Sequence, residues 1–325
     1  MLFKHALPEH APLLAGAVVA ACRPDGWSDP AQPSFLHTVF NILLGFDHDF
    51  DSLAPAKVSE VQRGITTSEG RSELIELMLA IEMLVDPIPA SLSSSIDQWA
   101  FDLGVQPEAL AMTRKIALGS LSEAQDDFYR NNFVGDVATR SEHLEAMINR
   151  YGPRGTVWTL DDDPVLTARF DALAYLPLGT LGRELVEFYD QRGFVYPGRV
   201  GSLSEVSWTH DWMHVLCGYD TDDLGELEVA AFRSMSTNFK GAGLSFLGFL
   251  SIFHGGQLPS LVSGVHTNHP LRDPRAVERV ALAFRLGRRC SVDTHIGMDF
   301  FDFASLSISE VRGAWNLIDE AEDTE

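Results

Sequence analysis

Apolar positions recur at helical spacing through most of the chain, and nowhere do they alternate convincingly as a half-buried strand requires. The stretch "SFLHTVFNILLGF" sets Phe35, Val39, Ile42 and Phe46 on one helical face. "GRSELIELMLAIEMLV" does the same with Leu74, Leu77, Met78, Ile81 and Leu84, and leaves Glu73, Glu76 and Glu82 largely off that stripe. "HAPLLAGAVVAAC" and "SLSSSIDQWAFDLGV" also read as helices. "QPEALAMTRKIALG" opens with Pro107 and closes on Gly119, the residues that favour helix starts and stops. A second series follows in "VLTARFDALAYL", "GTLGRELVEFYDQRGF", "HDWMHVLC", "GELEVAAFRSMSTNF" and "DPRAVERVALAFRLGRRC". The pattern predicts an all-α chain.

Between the two series the texture changes. "YGPRGTVWTLDDDP" carries two Pro, two Gly and three consecutive Asp, and reads as a linker or exposed loop. The expected organisation is a helical domain over 1–150, a linker over 151–164, a second helical domain over 165–319 and an acidic tail over 320–325.

Composition narrows the function. With 325 residues and 45% hydrophobic content, the chain suits two domains, each with a core of its own. Its 46 acidic against 24 basic residues give a net charge of -22, which argues against nucleic acid as a partner, because phosphate binding needs a basic surface. The acidity suits a soluble cytoplasmic protein. Three scattered cysteines, Cys22, Cys217 and Cys290, argue against a disulfide scaffold and against a thiolate zinc site. The N-terminal "MLFKHALPEHAPLL" lacks the pattern of a signal peptide. The most apolar run, "LSFLGFLSIF" from Leu244 to Phe253, is shorter than the roughly 20 residues that a membrane-spanning helix needs.

The candidate chemistry lies in "HDWMHVLCGYDTDDLGE", residues 210–226. Residues i and i+4 share a helix face, so His210 and His214 can present two imidazoles to one point. Zinc, iron and manganese all accept imidazole nitrogen. Asp211 stands about 100° round the helix from His210. "GYDTDD" reads as a turn, after which Gly225 and Glu226 begin the next helix. Two antiparallel helices joined by so short a loop can return Glu226 to the histidines. The outcome would be a His–His–Glu site with Asp211 as a fourth ligand or a neighbouring base. By itself a His pair at this spacing is weak evidence in a chain of 11 histidines, where it also arises as a surface or interhelical pair.

The whole string resembles the signature of the coenzyme Q biosynthesis protein four family, an HDxxH followed by eleven residues and a Glu. All four positions match. "LPLGTLGRELVEFYDQRGF" upstream and "AFRLGRRC" downstream are also similar to that family, so the resemblance spans Leu176 to Asn316. Two stretches depart from it. "SEVSWTHD" lacks the basic residues usual before the first His, and "DFFDF" stands where a Trp–Glu pair is usual; both bear on the substrate more than on the metal. The resemblance implies an all-helical fold, a divalent metal (zinc first, manganese or iron next) and the ligands His210, Asp211, His214 and Glu226, with Asp211 as the catalytic candidate. It implies action on C1 of a prenylated head group in ubiquinone biosynthesis, a decarboxylation coupled to hydroxylation. Its implied partners are a prenylated quinone precursor or isoprenoid lipid and other quinone-biosynthesis proteins, with peripheral contact at the inner face of a membrane. Homo-oligomerisation stays open.

Over roughly the first 120 residues, "AACRPDGWSDPA" and "EMLVDPIPASL" form a weak internal echo that resembles the TerB-like helical domains of tellurite resistance. Two readings of the apolar run follow. Leu244, Phe246, Leu247, Gly248, Phe249 and Phe253 would line a groove for an isoprenoid tail, or the run is a plain core helix. His254, just after it, would support the metal ligands from behind or simply close the helix. The competing functions are a metal-dependent enzyme of quinone-precursor metabolism, and a lipid-binding or scaffold protein with a structural metal. A metal-dependent hydrolase ranks last, because the short Asp of HDxxH reaches less far than the Glu of HExxH.

Overall fold

A computed structural model describes residues 4–131, 141–239, 241–295 and 298–318. The expected acidic tail lies outside these residues. Among them the fold is all-α, with isolated bridges such as Trp158 to Leu203 in place of strands. Along the chain the helices are α1 (Ala11–Cys22), α2 (Ala31–Leu44), α3 (Val58–Gly64), α4 (Ser68–Met83), α5 (Ala90–Leu103), α6 (Glu108–Ala117), α7 (Leu121–Asn131), α8 (Glu142–Tyr151), α9 (Pro153–Val157), α10 (Pro164–Leu173), α11 (Leu181–Arg192), α12 (Glu205–Cys217), α13 (Asp223–Met235), α14 (Ala242–Phe253), α15 (Pro274–Arg289) and α16 (Ile308–Ala314). The stretch read as a linker contains α9, which starts on Pro153, a residue preset for the first helical turn. None of the described helices is long and apolar enough to cross a membrane.

The chain forms two compact units, and each draws on separate stretches. Unit 1 comprises Met1–Phe128, Asp222–Met235 and Lys240–Arg288; unit 2 comprises Tyr129–Thr221, Ser236–Phe239 and Arg289–Glu325. The division therefore falls elsewhere than at 151–164, and α13, α14 and most of α15 join the N-terminal helices.

Unit 1 is built around α4. Thr67 caps its start, its side chain accepting from the Gly70 amide at 3.1 Å. Every residue from Glu73 to Met83 is buried, because α1, α5, α6 and α14 all pack on this helix. The one-sided stripe expected from sequence is thus corrected: Glu73, Glu76 and Glu82 are inside. Burying a carboxylate is tolerated only with partners. Glu82 accepts from Arg114 at 2.8 and 3.0 Å and from the Ser93 hydroxyl. Glu73 accepts from the His5 amide at 3.0 Å and lies 2.7 Å from His5 Nδ1.

The helix α14 is the run "LSFLGFLSIF" preceded by Ala242 and Gly243, and it packs on α13, α4 and α6. Leu244, Phe246, Leu247, Gly248, Phe249 and Phe253 are all buried in unit 1. A Cβ on Gly248 would clash with the Phe128 ring, so that ring packs directly against the glycine.

In unit 2, α11 packs on α10 and α12, and α12 also meets α9 and α16. An aromatic cluster fills the interior. Phe170 stands edge-on to Trp208 and to Phe301, each at 5.2 Å, and Trp212 stacks on Phe300 at 5.7 Å. The "DFFDF" departure thus supplies core rings. Its Asp299 accepts from the Phe301 amide and pairs with Arg169 at 2.6 Å.

Candidate metal centre

The site is carried by α12. Before its first turn the chain is held by the Ser204 amide, which donates to the Val157 carbonyl at 2.8 Å. The helix ends where Gly218 turns into the left-handed region, φ 74°, a conformation open to glycine at little cost. There the Gly218 and Tyr219 amides both donate to the His214 carbonyl, at 2.9 and 3.0 Å. This turn brings the Tyr219 carbonyl back to the ring of His214.

His210, Asp211 and His214 each offer one ligand atom, and these atoms lie within 4.8 Å of one another. Their residues are 8%, 3% and 1% exposed, so water barely reaches the group. The two rings stand 5.1 Å apart at 66°. His210 Nε2 is 3.4 Å from Asp211 Oδ1.

Main-chain carbonyls fix both tautomers. His214 Nδ1 lies 3.2 Å from the Tyr219 carbonyl, and His210 Nδ1 meets the Ser207 carbonyl. A carbonyl only accepts, so each Nδ1 carries a proton, and Nε2 is the nitrogen each neutral ring would offer a metal. That arrangement is the one metal-binding histidines adopt. Phe188 stacks on the His214 ring at 5.7 Å and 23°, and Arg192 covers the far side of Phe188 at 4.0 Å.

Asp211 has a partner that the motif does not contain. The Tyr189 hydroxyl, from α11, donates to Asp211 Oδ2. Burial pushes the Tyr189 phenol well up, and the Asp211 carboxylate pushes it the same way, so Tyr189 stays protonated and remains a donor. Asp211 therefore spends one oxygen on Tyr189 and turns the other towards His210. Two imidazole nitrogens and a carboxylate oxygen that converge make a donor set that fits a divalent transition metal.

Glu226 lies on α13, in unit 1, and is partly exposed. Asp222 caps that helix, its side chain accepting from the Gly225 amide at 2.8 Å. His254 also belongs to unit 1. It closes α14, is buried, and accepts from the Leu271 amide at 3.2 Å, which answers to the helix-closing reading.

Sequence reasoning found the three converging residues of α12 and missed the groups that orient them. In "GRELVEFYDQRGF" nothing distinguishes Tyr189 from the apolar positions of an amphipathic helix. The Ser207 and Tyr219 carbonyls leave no trace in residue identity. Gly218 was the readable signal, since a glycine after "HVLC" marks a helix end.

No protein-family model and no curated protein matches this chain. Among solved structures, a candidate ubiquinone biosynthesis protein of Nostoc punctiforme is similar at 17% identity with a TM-score of 0.34; the match covers 75% of this chain and 97% of that one.

Proposed function

We propose that unit 2 binds one divalent metal, zinc before manganese or iron, through His210 Nε2, His214 Nε2 and Asp211, and that the chain serves ubiquinone or related prenylquinone biosynthesis. The observation that supports metal binding is the convergence of three ligand atoms, with the Nδ1 of both histidines engaged by main-chain carbonyls. Glu226 completes the HDxxH–Glu resemblance in sequence. The same resemblance supports the substrate, a prenylated 4-hydroxybenzoate-type head group that loses its C1 carboxyl as carbon dioxide in a step coupled to hydroxylation, with molecular oxygen as the external two-electron oxidant. A divalent ion held by His210, His214 and Asp211 would supply positive charge beside the head group. Asp211 and Tyr189 form the proton-carrying pair beside that position: the phenol holds a proton on its oxygen, and the carboxylate accepts. The three buried α12 ligands keep competing water away.

Two measurements test the reading. Elemental analysis of protein purified without added metal should find close to one equivalent in wild type and little in His214→Ala; equal content in both removes the site. Incubation with prenylated 4-hydroxybenzoates should then release carbon dioxide in a metal-dependent way, with tail-less analogues turned over less well. Metal retained without carboxyl loss points instead to a structural ion in a lipid-binding or scaffold protein, a reading that the near-complete burial of the three ligands favours.

A further inference from the structure

Unit 1 carries a cluster of its own, apart from the metal ligands of unit 2. Asp223 is the first residue of α13, and Ser263 and His266 belong to the loop that follows α14. His266 Nδ1 lies 2.7 Å from Asp223 Oδ1, and His266 Nε2 lies 2.7 Å from the Ser263 hydroxyl. A carboxylate only accepts, so Nδ1 carries a proton, and in the neutral ring Nε2 accepts from the Ser263 O–H. This is the hydrogen-bond order of a serine nucleophile, its general base and the acid that orients the base. Such a constellation is recognised by geometry and not by order along the chain.

Each member is held by separate contacts. Asn268 donates to the second Asp223 oxygen at 2.7 Å, so the carboxylate is fixed at both oxygens. Phe253, the last residue of α14, meets the His266 ring edge-on at 4.8 Å. Gly256 lies so close to the His266 carbonyl that a Cβ there would clash. The Ser263 loop is closed on itself. Ser260 and Gly264 exchange main-chain hydrogen bonds at 2.7 and 3.0 Å, and Ser260 Oγ accepts from the Val262 and Ser263 amides, each at 3.1 Å.

The line runs outward. The Asp223 and His266 side chains are 14% and 15% exposed, whereas Ser263 is exposed to solvent. Asp223, His266 and Asn268 would staple the loop without Ser263, whose hydroxyl could bond to water instead. Its place on Nε2, at the accessible end, is the one a nucleophile needs. The surroundings narrow the substrate. Val262 and Val265, within two residues of Ser263, are 53% and 67% exposed and offer apolar surface. The net charge of -22 disfavours an anionic acyl donor. The Ser263 and Gly264 amides are spent on Ser260, so neither serves a developing oxyanion. The donor must therefore carry a leaving group that departs readily.

We propose that Ser263, His266 and Asp223 form an acyl-transfer centre that takes a short apolar acyl group from a neutral aryl ester and releases it to water. Ser263 Oγ bonds to the acyl carbon as its proton passes to His266 Nε2. The bond to the aryl oxygen breaks, and that oxygen takes the proton from His266. Water then attacks the Ser263 ester, a proton returns through His266 to Ser263 Oγ, and the free acid leaves. Ester and water thus give acid and phenol. Asp223 is a positioning residue that acts through His266.

The test uses the full chain and p-nitrophenyl butyrate. Nitrophenol release should saturate with ester, and acid-quenched protein should carry a butyryl ester on Ser263 in a peptide mass map. Ser263→Ala leaves the Asp223, His266 and Asn268 bonds in place and should lower kcat at least about tenfold. Asp223→Asn keeps the side-chain shape and should lower kcat at least about tenfold with KM and the thermal transition little changed. Should Asp223→Asn not fold, the Ser263→Ala comparison and the peptide map decide. Equal release by wild type and Ser263→Ala overturns the proposal, as does butyryl found only on lysine or cysteine side chains. Full activity in Asp223→Asn overturns it as well.

Discussion

Asp211 is held by a phenol, and each of its neighbouring histidines is held by a main-chain carbonyl. None of these three supports carries charge. Tyr189 is the one support that a side-chain substitution removes cleanly. Tyr189→Phe keeps the ring in its aromatic cluster and deletes only the donor to Asp211. Loss of such an outer contact should weaken metal binding about 10–100-fold, measured by competition against a chromogenic chelator. Unchanged affinity with an intact thermal transition would mean that Tyr189 does not position Asp211. At this scale the sequence was half legible. His210, Asp211 and His214 declare themselves by spacing and chemistry. Their supports do not, because a carbonyl has no identity in the sequence and a lone Tyr on a helical face resembles every other buried Tyr.

Among the elements, the long periodic helices were readable and the short ones were not. α4, α11 and α15 show the 3.6-residue period over several turns, whereas α3 and α9 offer only seven and five residues and give no period to detect. The failure on α4 was of another kind. A glutamate off the apolar stripe implies solvent, yet α4 is covered on every side, and its acids are answered by residues far along the chain. The partner of Glu82 is Arg114, on α6, 32 positions away. Burial pushes the Glu82 carboxyl up, and the Arg114 guanidinium and the Ser93 hydroxyl oppose that rise. Arg114→Ala should therefore cost about 3–5 kcal/mol in chemical denaturation, since it strands a buried acid. Pairing it with Glu82→Gln should recover part of that loss. A single variant as stable as wild type would show that Glu82 finds water or stays neutral at no cost.

For the whole molecule, His254 in unit 1 is a contributor to pH dependence whose shift is large. Burial lowers His254 to about 4, against 6.5 for the free side chain, with His269, Arg272 and Asp29 as its ionisable neighbours. The folded state thus binds its proton later than the unfolded state does. Stability contributed by neutral His254 is complete above about pH 6.5 and declines as pH falls towards 4, by about 3 kcal/mol in all. His254→Gln keeps an acceptor for the Leu271 amide but does not titrate. Denaturation at pH 7 and at pH 4.5 should show a smaller pH penalty in the variant; equal penalties would mean that His254 is not the titrating group.

The interleaving of the two units along the chain has a consequence during synthesis. The chain passes from one unit to the other after residues 128, 221, 235, 239 and 288. When Phe128 leaves the ribosome, α4 already has α1, α5 and α6 beside it, but α14, which also packs on it, is still unmade. At ordinary translation speeds its arrival takes on the order of ten seconds. For that interval the nascent chain leaves uncovered the part of unit 1 that α14 later buries, and the growing polypeptide becomes a client for chaperones that bind exposed hydrophobic surface. Ribosome-stalled chains should capture such a chaperone when arrested near residue 170 and release it when arrested about forty residues beyond Arg288.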